Sequence, residues 1–386
     1  MDDSEQLKER REQINAIDSE LLELLNRRAG LALSVGEVKF RDDTSLCDHG
    51  RESEVLERLV LKNAGPLDEQ SVRNIFQRII DESLHLQVKT FQKRARDHAS
   101  STADLKQDRR IAILGERGTF GEEAALALSD NDCQIVSRRS FDDLFEAIDD
   151  GLADHILAPV ENTLVGPIHR CFDLLLDGDL SIAAEIFLPV SQCLIGCQDA
   201  TLDSTLTVES HPVALGQCEQ FFAEHPQIVR LEAADTAGSV RRAIERADPT
   251  WIAIGSKRAA EIYGGKILRE NIQDHAYNWT RFLLLSKETD AGAGGSKVSL
   301  ALRLPHKPGS LHSALRSFVR RGINLLKLES RPVKGEPSQF NFYMELAAPA
   351  NEAELESALS EIGQIAENVR YIGRYSTIDL AGANNL

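Results

Sequence analysis

The sequence predicts three domains in one chain: an all-α domain, an α/β domain and a small α+β domain. A length of 386 residues exceeds what one hydrophobic core serves, and a prior of roughly 150 residues per domain gives two or three. Apolar residues recur at helical spacing in the N-terminal part, whereas strand-like runs alternate with helical ones from Arg110 onward. Polar linkers are predicted at residues 93–108 and 288–296. The predicted domains span residues 1–92, 109–287 and 297–378.

Charge and apolar patterning exclude several classes of protein. The formal net charge of −17 would repel nucleic acid and anionic membranes, so an anionic ligand has to be held by a local group of Lys and Arg. No window approaches the roughly 18 apolar residues of a membrane span. The N-terminal run MDDSEQLKERREQ lacks the apolar region of a signal peptide. The sequence therefore predicts a cytoplasmic protein without nucleic-acid or membrane partners.

The six cysteines lie far apart and have no histidines at zinc-finger spacing. Cys193 and Cys197 form a CxxxC, which is a weak metal or redox signal. We expect free thiols in a reducing compartment.

The N-terminal domain is predicted to contain a long helix over 5–40 and two shorter helices over 51–62 and 67–92. On a helical wheel Arg28 and Lys39 fall inside the apolar stripe of the long helix, about 20° apart and ~16 Å apart along the axis. A cation on a core face costs several kcal/mol unless an anion meets it. Two interpretations stay open, internal ion pairs with acidic residues of neighbouring helices or a buried pocket for a small polyanion.

A second copy of the chain is expected to complete this domain. Arg11 lies ~25 Å from Arg28 along the helix axis, so it cannot reach the same small molecule from the same straight helix. One long helix with two shorter ones is also a poor monomeric core. An intertwined dimer is the simpler packing.

The segments LKERREQINAIDSELLELLNRR, DHGRESEVLERL and IIDESLHLQ resemble the all-helical chorismate mutase family over residues 5–92. The resemblance implies that Arg11 from a second copy, Arg28 and Arg51 hold substrate carboxylates or support the pocket, that Asp48, Glu52 and Ser83 bind the ring hydroxyl and a carboxylate, and that Lys39 and Gln87 face the breaking ether oxygen. Such a pericyclic rearrangement needs no nucleophile, base or metal. The protein supplies a compressed substrate conformer and donors aimed at the oxygen that becomes negative.

Polar residues in the central domain gather at predicted strand ends, where ligand sites of α/β sheets form. The Gly turn GERGTFGEEAA is by itself a weak signal for phosphate or carboxylate binding. The other candidates are Glu161, Asn162 and Thr163 in APVENTLVG, Ser210, His211 and Gln217 in ESHPVALGQC, Thr236 in DTAGS, and Thr280, Arg281 and Phe282 in NWTRFLLL. Each alone also fits a structural role, such as a packed histidine or a strand-edge Thr-Arg pair.

The motifs APVENT, SHP…GQC and TRF, in this order, resemble the prephenate dehydratase family over about residues 109–287. The resemblance implies a two-lobed fold like a type 2 periplasmic binding protein, with a cleft site that removes carbon dioxide and water from prephenate to give phenylpyruvate. Thr280 would then donate to the departing hydroxide, with Glu161 or His211 as the proton source. Arg281 suits a substrate carboxylate by bidentate pairing.

The C-terminal pattern has β-α-β-β-α-β order, which indicates a ferredoxin-like unit. The motifs PHKPGSLHSAL and LKLESRPV resemble the amino-acid-binding ACT domain, which implies L-phenylalanine as an effector held between two copies. The expected effector-binding residues are Gly309, Ser310, Leu311, Asn324, Glu329 and Ser330. Ser310 stands where the family usually has Ala. A plain dimerisation module is the alternative.

The three resemblances together imply a bifunctional enzyme of phenylalanine biosynthesis that uses no cofactor and no metal. Its ligands would be chorismate, prephenate and L-phenylalanine. It would be a homodimer or homotetramer with the mutase site shared between protomers. An arogenate-preferring dehydratase and a non-catalytic amino-acid sensor are the alternatives.

Overall fold

A computed structural model describes most of the chain. The described residues are 3–41, 49–98, 109–129, 133–202, 206–287, 295–349 and 351–380. The chain forms two compact units, one within residues 1–100 and one within residues 101–380. Each unit is described by itself.

The first unit is helical, as its apolar spacing predicts. Its helices are α1 (Asp3–Arg41), α2 (His49–Lys62) and α3 (Glu69–His98). Asp68 caps α3, because its Oδ1 accepts a 2.6 Å hydrogen bond from the Ser71 amide. The helix α3 continues to His98, inside the predicted linker 93–108, because Lys, Arg and Ala in that segment are strong helix formers.

Much of the apolar stripe of α1 is exposed in this single chain. Six side chains of this stripe are at least half exposed, namely Ile14, Ile17, Leu21, Leu24, Leu31 and Val35. A continuous exposed apolar face of this kind marks an interaction surface.

The second unit begins with alternating strands and helices. The strands are β1 (Arg109–Leu114), β2 (Cys133–Arg138), β3 (His155–Asn162), β4 (Gly166–Pro167), β5 (Ser181–Pro189), β6 (Cys193–Gly196), β7 (Thr207–Ser210), β8 (Val229–Glu232), β9 (Trp251–Gly255), β10 (Lys266–Arg269) and β11 (Trp279–Ser286). The helices are α4 (Phe120–Leu128), α5 (Phe141–Glu146), α6 (His169–Asp177), α7 (Pro212–Gly216), α8 (Glu219–Glu224), α9 (Thr236–Arg246) and α10 (Lys257–Tyr263). Strand β1 is buried along Ile111–Ile113, typical of a strand covered on both faces.

These strands form two sheets, and each sheet is the centre of one lobe. The first lobe has the order β5-β11-β3-β1-β2, with β4 beside β3, and the second lobe has the order β10-β6-β9-β7-β8. Alternating strands and helices predict mostly parallel pairing, but both sheets are mixed, because β11 lies antiparallel between β3 and β5 and β6 is antiparallel to β9 and β10. The chain crosses from the first lobe to the second after β5 and returns before β11. The returning strand inserts antiparallel to its neighbours.

A third sheet follows, built from β12 (Lys297–Arg303), β13 (Leu325–Val333), β14 (Glu336–Ala347) and β15 (Asn368–Tyr375), with helices α11 (Ser310–Val319) and α12 (Glu352–Gly363). Its order is β13-β14-β12-β15, antiparallel throughout, which is the predicted β-α-β-β-α-β unit. Its helices pack on one face of the sheet. Tyr343 and Tyr375 on the other face share a hydrophobic core with Phe172 and Leu283 of the first lobe.

The chain then returns to the first lobe. The short strand β16 (Thr377–Asp379) pairs in parallel with β5 and becomes the edge of the first sheet. Glu185 and Thr377 are register partners, and the Thr377 hydroxyl donates to Glu185 Oε1 at 2.5 Å. The third sheet is therefore enclosed in sequence between two segments of the first lobe.

In the described part of the chain, no helix is both long and apolar enough to cross a membrane. The described cysteines are free thiols. Burial raises the pKa of the Cys193 thiol in the CxxxC segment, which keeps it protonated and unreactive.

Candidate functional sites

Two predicted mutase residues meet between α1 and α3. One Nη of Arg28 donates to Ser83 Oγ and, at 3.3 Å, to the Ile79 carbonyl. Ser83 Oγ donates in turn to the same carbonyl at 2.7 Å, and the serine is buried. Both of these partners are neutral, and among the side chains that the structure describes Arg28 forms no ion pair. That arrangement favours the polyanion pocket over an internal ion pair.

The other mutase candidates are less defined. Arg11 is exposed on α1, and Arg51 pairs with exposed Glu54 at 2.8 Å. Asp48 and the side chains of Lys39, Glu52 and Gln87 lie outside the described residues.

Thr280 is the centre of a polar network where the two lobes meet. Asn162 at the end of β3 lies opposite Thr280 in the register, and its Nδ2 donates to Thr280 Oγ1 at 3.2 Å. The same amide donates to Asn278 Oδ1 at 2.8 Å and to the Trp279 carbonyl at 2.9 Å. Its Oδ1 accepts from the amides of residues 164 and 165, which fixes the turn after β3.

The network continues into the second lobe. Asn278 Nδ2 donates to Gln217 Oε1 at 2.8 Å, and Gln192 Nε2 donates to the same oxygen at 3.2 Å. Asn278 and Gln192 are both buried. Sequence reasoning missed these two amides, although Asn278 stands two residues before Thr280 and strand alternation places both on one face.

Several candidate side chains at the other strand ends form hydrogen bonds with backbone groups. Thr163 Oγ1 donates to the Tyr277 carbonyl and accepts from the Trp279 amide, both at 3.0 Å. Ser210 is fully buried and donates to the Ile254 carbonyl at 2.7 Å. His211 caps α7, with Nδ1 accepting from the Val213 amide. Thr236 opens α9.

Three of the predicted substrate contacts lie away from Thr280 in the structure. Arg281 faces the opposite side of β11 from Thr280 and is 4% exposed. It pairs with Glu185 and, at 2.7 Å, with Glu345 of β14, while its buried Nε has no hydrogen-bond partner among the described residues. Glu161 is on that same far face beside Lys327, at 2.9 Å, so its carboxylate does not face Thr280. Phe282 lies in the core under α4.

The Glu185 carboxylate beside Arg281 is held ionised. Burial raises the pKa of Glu185, but Arg281 and Lys297 outweigh burial and keep the pKa below its ordinary value. Burial alone would lower the pKa of Arg281, but Glu345 and Glu185 raise it well above its ordinary value. Glu185 and Arg281 are therefore a pair of fixed opposite charges.

The Gly turn GERGTFGEEAA connects the two lobes. Arg241 of α9 donates to Glu116 at 2.7 and 3.0 Å, and this hydrogen bonding lowers the pKa of Glu116. Ser256 Oγ donates to the Gly118 carbonyl at 2.6 Å, and the Tyr263 hydroxyl donates to the Arg117 carbonyl at 2.9 Å. The turn is thus bonded to the second lobe at three successive residues.

The predicted effector residues fall in two places. Ser310 and Leu311, at the start of α11, line a cavity of about 100 Å³ with Leu304, His306, Phe340 and Phe342. Gly309 precedes them with a φ of +86°, a conformation that favours glycine. The Asn324 carbonyl accepts from the Ala347 amide at 2.9 Å. Glu329 and Ser330 lie within β13, and Glu329 Oε1 is 3.6 Å from His169 Nδ1.

A helical unit with a cation between its helices, joined to a two-lobed α/β unit with an amide-lined threonine, defines a multidomain enzyme. The family model for chorismate mutase type II matches residues 10–88, and that for prephenate dehydratase matches residues 111–290. A bifunctional chorismate mutase/prephenate dehydratase of Aquifex aeolicus is 32% identical over 376 residues, 96% of this chain and 98% of that protein. The chain belongs to this bifunctional family, and it is both an isomerase and a lyase.

Solved structures match the second unit. A prephenate dehydratase from Arthrobacter aurescens in complex with L-Phe aligns with a TM-score of 0.64 and 26% identity, covering 69% of this chain and 90% of that chain. GqqA, described as a novel type of quorum quenching acylase, aligns with a TM-score of 0.64 and 28% identity, covering 70% of this chain and 98% of that chain. The same fold thus occurs in proteins described by different activities, and the site has to carry the functional argument.

Proposed function

We propose that the chain converts chorismate to prephenate in its helical unit and prephenate to phenylpyruvate at Thr280, with L-phenylalanine as the feedback effector. The contact that carries the dehydratase half is the hydrogen bond from Asn162 to Thr280 Oγ1. It leaves the Thr280 proton free to point at a ligand, because Oγ1 is the acceptor in this bond.

The chemistry requires little more than a placed donor. The ring carboxylate of prephenate leaves as carbon dioxide, its bonding electrons complete the aromatic ring, and the ring hydroxyl leaves with a proton as water. Thr280 donates a hydrogen bond to the departing oxygen as negative charge develops there. The buried amides of Asn162, Asn278 and Gln217 fix that hydroxyl in the low-dielectric interior.

The mutase half rests on Arg28. Its guanidinium is anchored by Ser83 and has neutral partners, so it offers charge to a carboxylate of chorismate. The exposed apolar stripe of α1 supports a second copy as the partner that covers this helix and brings its own Arg11. We therefore propose a homodimer, or a homotetramer built from it, with shared mutase sites.

Regulation is proposed for the β-α-β-β-α-β unit, which we assign as an ACT domain. Ser310 and Leu311 line a cavity with apolar and aromatic side chains, a lining suited to an amino acid with an aromatic ring. The relative from Arthrobacter aurescens binds L-Phe. Free thiols and a biosynthetic role favour the cytoplasm.

The test is an assay of the full chain on chorismate, prephenate and arogenate, with and without L-phenylalanine. Thr280→Ala should lower the kcat for prephenate about 100-fold or more and change KM less than about threefold, because the hydroxyl acts on developing charge. Mutase turnover should stay unchanged. Thr250→Ala removes a hydroxyl that bonds Asp248 within an exposed turn and serves as the control.

Four results would contradict the proposal. Normal dehydratase turnover of Thr280→Ala removes this residue from the mechanism. Faster turnover of arogenate than of prephenate identifies arogenate as the preferred substrate. Dehydration that is insensitive to phenylalanine makes the C-terminal unit a structural module, and a monomer with full mutase activity excludes the shared site.

A further inference from the structure

The side of β11 that faces away from Thr280 is held by the third sheet. Strand alternation sends Thr280 to one face and Arg281 to the other, and a register shift in the β3–β11 pairing falls between Arg281 and Phe282. Such irregularities re-aim side chains beside active sites. Thr280 and Arg281 share a peptide bond, so whatever fixes Arg281 also fixes the backbone of Thr280.

Arg281 is held by carboxylates from two sheets. Glu185 of β5 belongs to the same sheet, whereas Glu345 of β14 belongs to the third sheet. The side chains of Arg281, Glu185 and Glu345 are each at most 5% exposed. Tyr343 strengthens the link, because its hydroxyl donates to Glu345 Oε1 at 2.9 Å.

The surrounding charges balance. Lys297 lies 2.7 Å from Glu185, Lys327 lies 2.9 Å from Glu161, and Glu161 lies 3.7 Å from Arg281. We call these six residues the Arg281 cluster, namely Arg281, Lys297, Lys327, Glu161, Glu185 and Glu345. Three cations and three anions cancel, and two of the cations and one of the anions come from the third sheet.

A cluster of this kind fixes geometry more than it adds stability. Burying charges carries a large desolvation cost, and well-packed apolar side chains often stabilise a core equally well. The guanidinium, however, donates to carboxylates only in the plane of its N–H groups. Paired carboxylates therefore set the direction of the arginine side chain. We propose that Glu345 of the third sheet is a positioning residue for dehydration, because it holds Arg281 and thereby the backbone that carries Thr280.

A small displacement of Thr280 is enough to change the rate of dehydration. A displacement of about 1 Å at a reacting group can lower the rate about 100-fold. Substrate binding depends on other contacts, so the effect belongs in kcat. This inference rests on the proposed catalytic role of Thr280 and extends it to a residue of a different sheet.

The experiment compares Glu345→Gln with Glu361→Gln in the full chain. The first substitution keeps the shape of the side chain but removes its charge. Glu361 of α12 pairs with Arg321 at 2.7 Å, away from the Arg281 cluster, and serves as the control. We expect Glu345→Gln to lower the kcat for prephenate about tenfold or more, with KM changed less than about threefold and mutase turnover unchanged. Glu361→Gln should retain the parent kcat.

The inference is overturned if folded Glu345→Gln keeps a kcat within about twofold of the parent, if Glu361→Gln loses as much, or if only KM changes. If Glu345→Gln does not fold, Tyr343→Phe decides, since it removes only the hydroxyl that donates to Glu345. An unchanged kcat for Tyr343→Phe then overturns the inference, and a loss of about threefold or more supports it. Thr280→Ala is measured in parallel: normal turnover there defeats the proposed function, whereas an inactive Thr280→Ala beside a normal Glu345→Gln defeats this inference alone.

Discussion

Arg28 and Arg281 have opposite surroundings in the structure, and the sequence alone does not distinguish them. Arg28 sits among apolar residues of a helix and bonds a hydroxyl and a carbonyl. Arg281 sits among apolar residues of a strand and pairs with carboxylates. A cation left with neutral partners has charge to offer a ligand, and a cation already paired has not.

Replacing Arg28 tests this at the residue scale. Arg28→Ala should lower mutase turnover about 100-fold or more, because a half-buried cation that meets a substrate carboxylate is lost. The dehydratase should be unaffected. Mutase and dehydratase assays on one preparation check both expectations.

The neighbouring exposed Arg27 supplies a matched control, since Arg27→Ala removes the same charge from the same helix. Equal mutase loss in the two variants would show that general charge, and not the Ser83-anchored guanidinium, supports the reaction.

The sequence predicted which residue types matter but not the face of the strand on which each side chain lies. The motif TRF was correctly placed at the start of β11, yet alternation along the strand puts Arg281 on the far face and a core contact takes Phe282. Gln192 and Glu345 became visible only in the fold, because their partners Gln217 and Arg281 are 25 and 64 positions away in the chain. Apolar periodicity predicts elements, whereas pairing between distant strands decides which polar groups meet.

At the scale of elements, the turn before α4 depends on one glycine. Gly118 has a φ of +89°, and a Cβ there would lie 2.7 Å from the Ala259 Cα of α10 in the second lobe. Its carbonyl also accepts the Ser256 hydroxyl. A side chain at this position both strains the backbone and pushes the lobes apart.

Gly118→Ala should therefore lower the free energy of unfolding of the dehydratase by at least about 1 kcal/mol and reduce its turnover. Urea unfolding followed by dehydratase activity measures the change. Mutase activity of the untreated variant should match the parent.

Gly363→Ala is the control for Gly118→Ala. Gly363 ends α12, and a Cβ added there meets no neighbouring atom within 4 Å. It should be neutral or slightly stabilising. Equal destabilisation by both substitutions would contradict the assignment of Gly118 to the lobe contact.

At the scale of the whole molecule, the family shows an enzyme with two activities, while the fold shows two compact units. The third sheet is not a separate unit, because it shares a core with the first lobe and supplies Glu345 to Arg281. Domain boundaries read from composition do not predict this contact, since linker composition carries no information on which faces pack together.

Strand β16 gives a test at this scale. A chain ending at Ser376 should unfold at lower urea concentration than a chain ending at Leu380, because it exposes the edge of β5 and removes the Thr377 hydroxyl from Glu185. Dehydratase activity should fall with it and mutase activity should not. Identical unfolding midpoints for the two chains would mean that β16 contributes nothing to the sheet.

The return of β16 also bears on the exchange of the third sheet between proteins. The polypeptide leaves the first lobe after β11 and re-enters it beside β5, so the third sheet and its helices are an insertion and not a tail. Grafting this insertion onto another dehydratase requires two compatible junctions, and deleting it requires a substitute strand to protect the sheet. If the insertion holds the proposed phenylalanine site, loss of feedback is reached more readily by point substitution than by truncation.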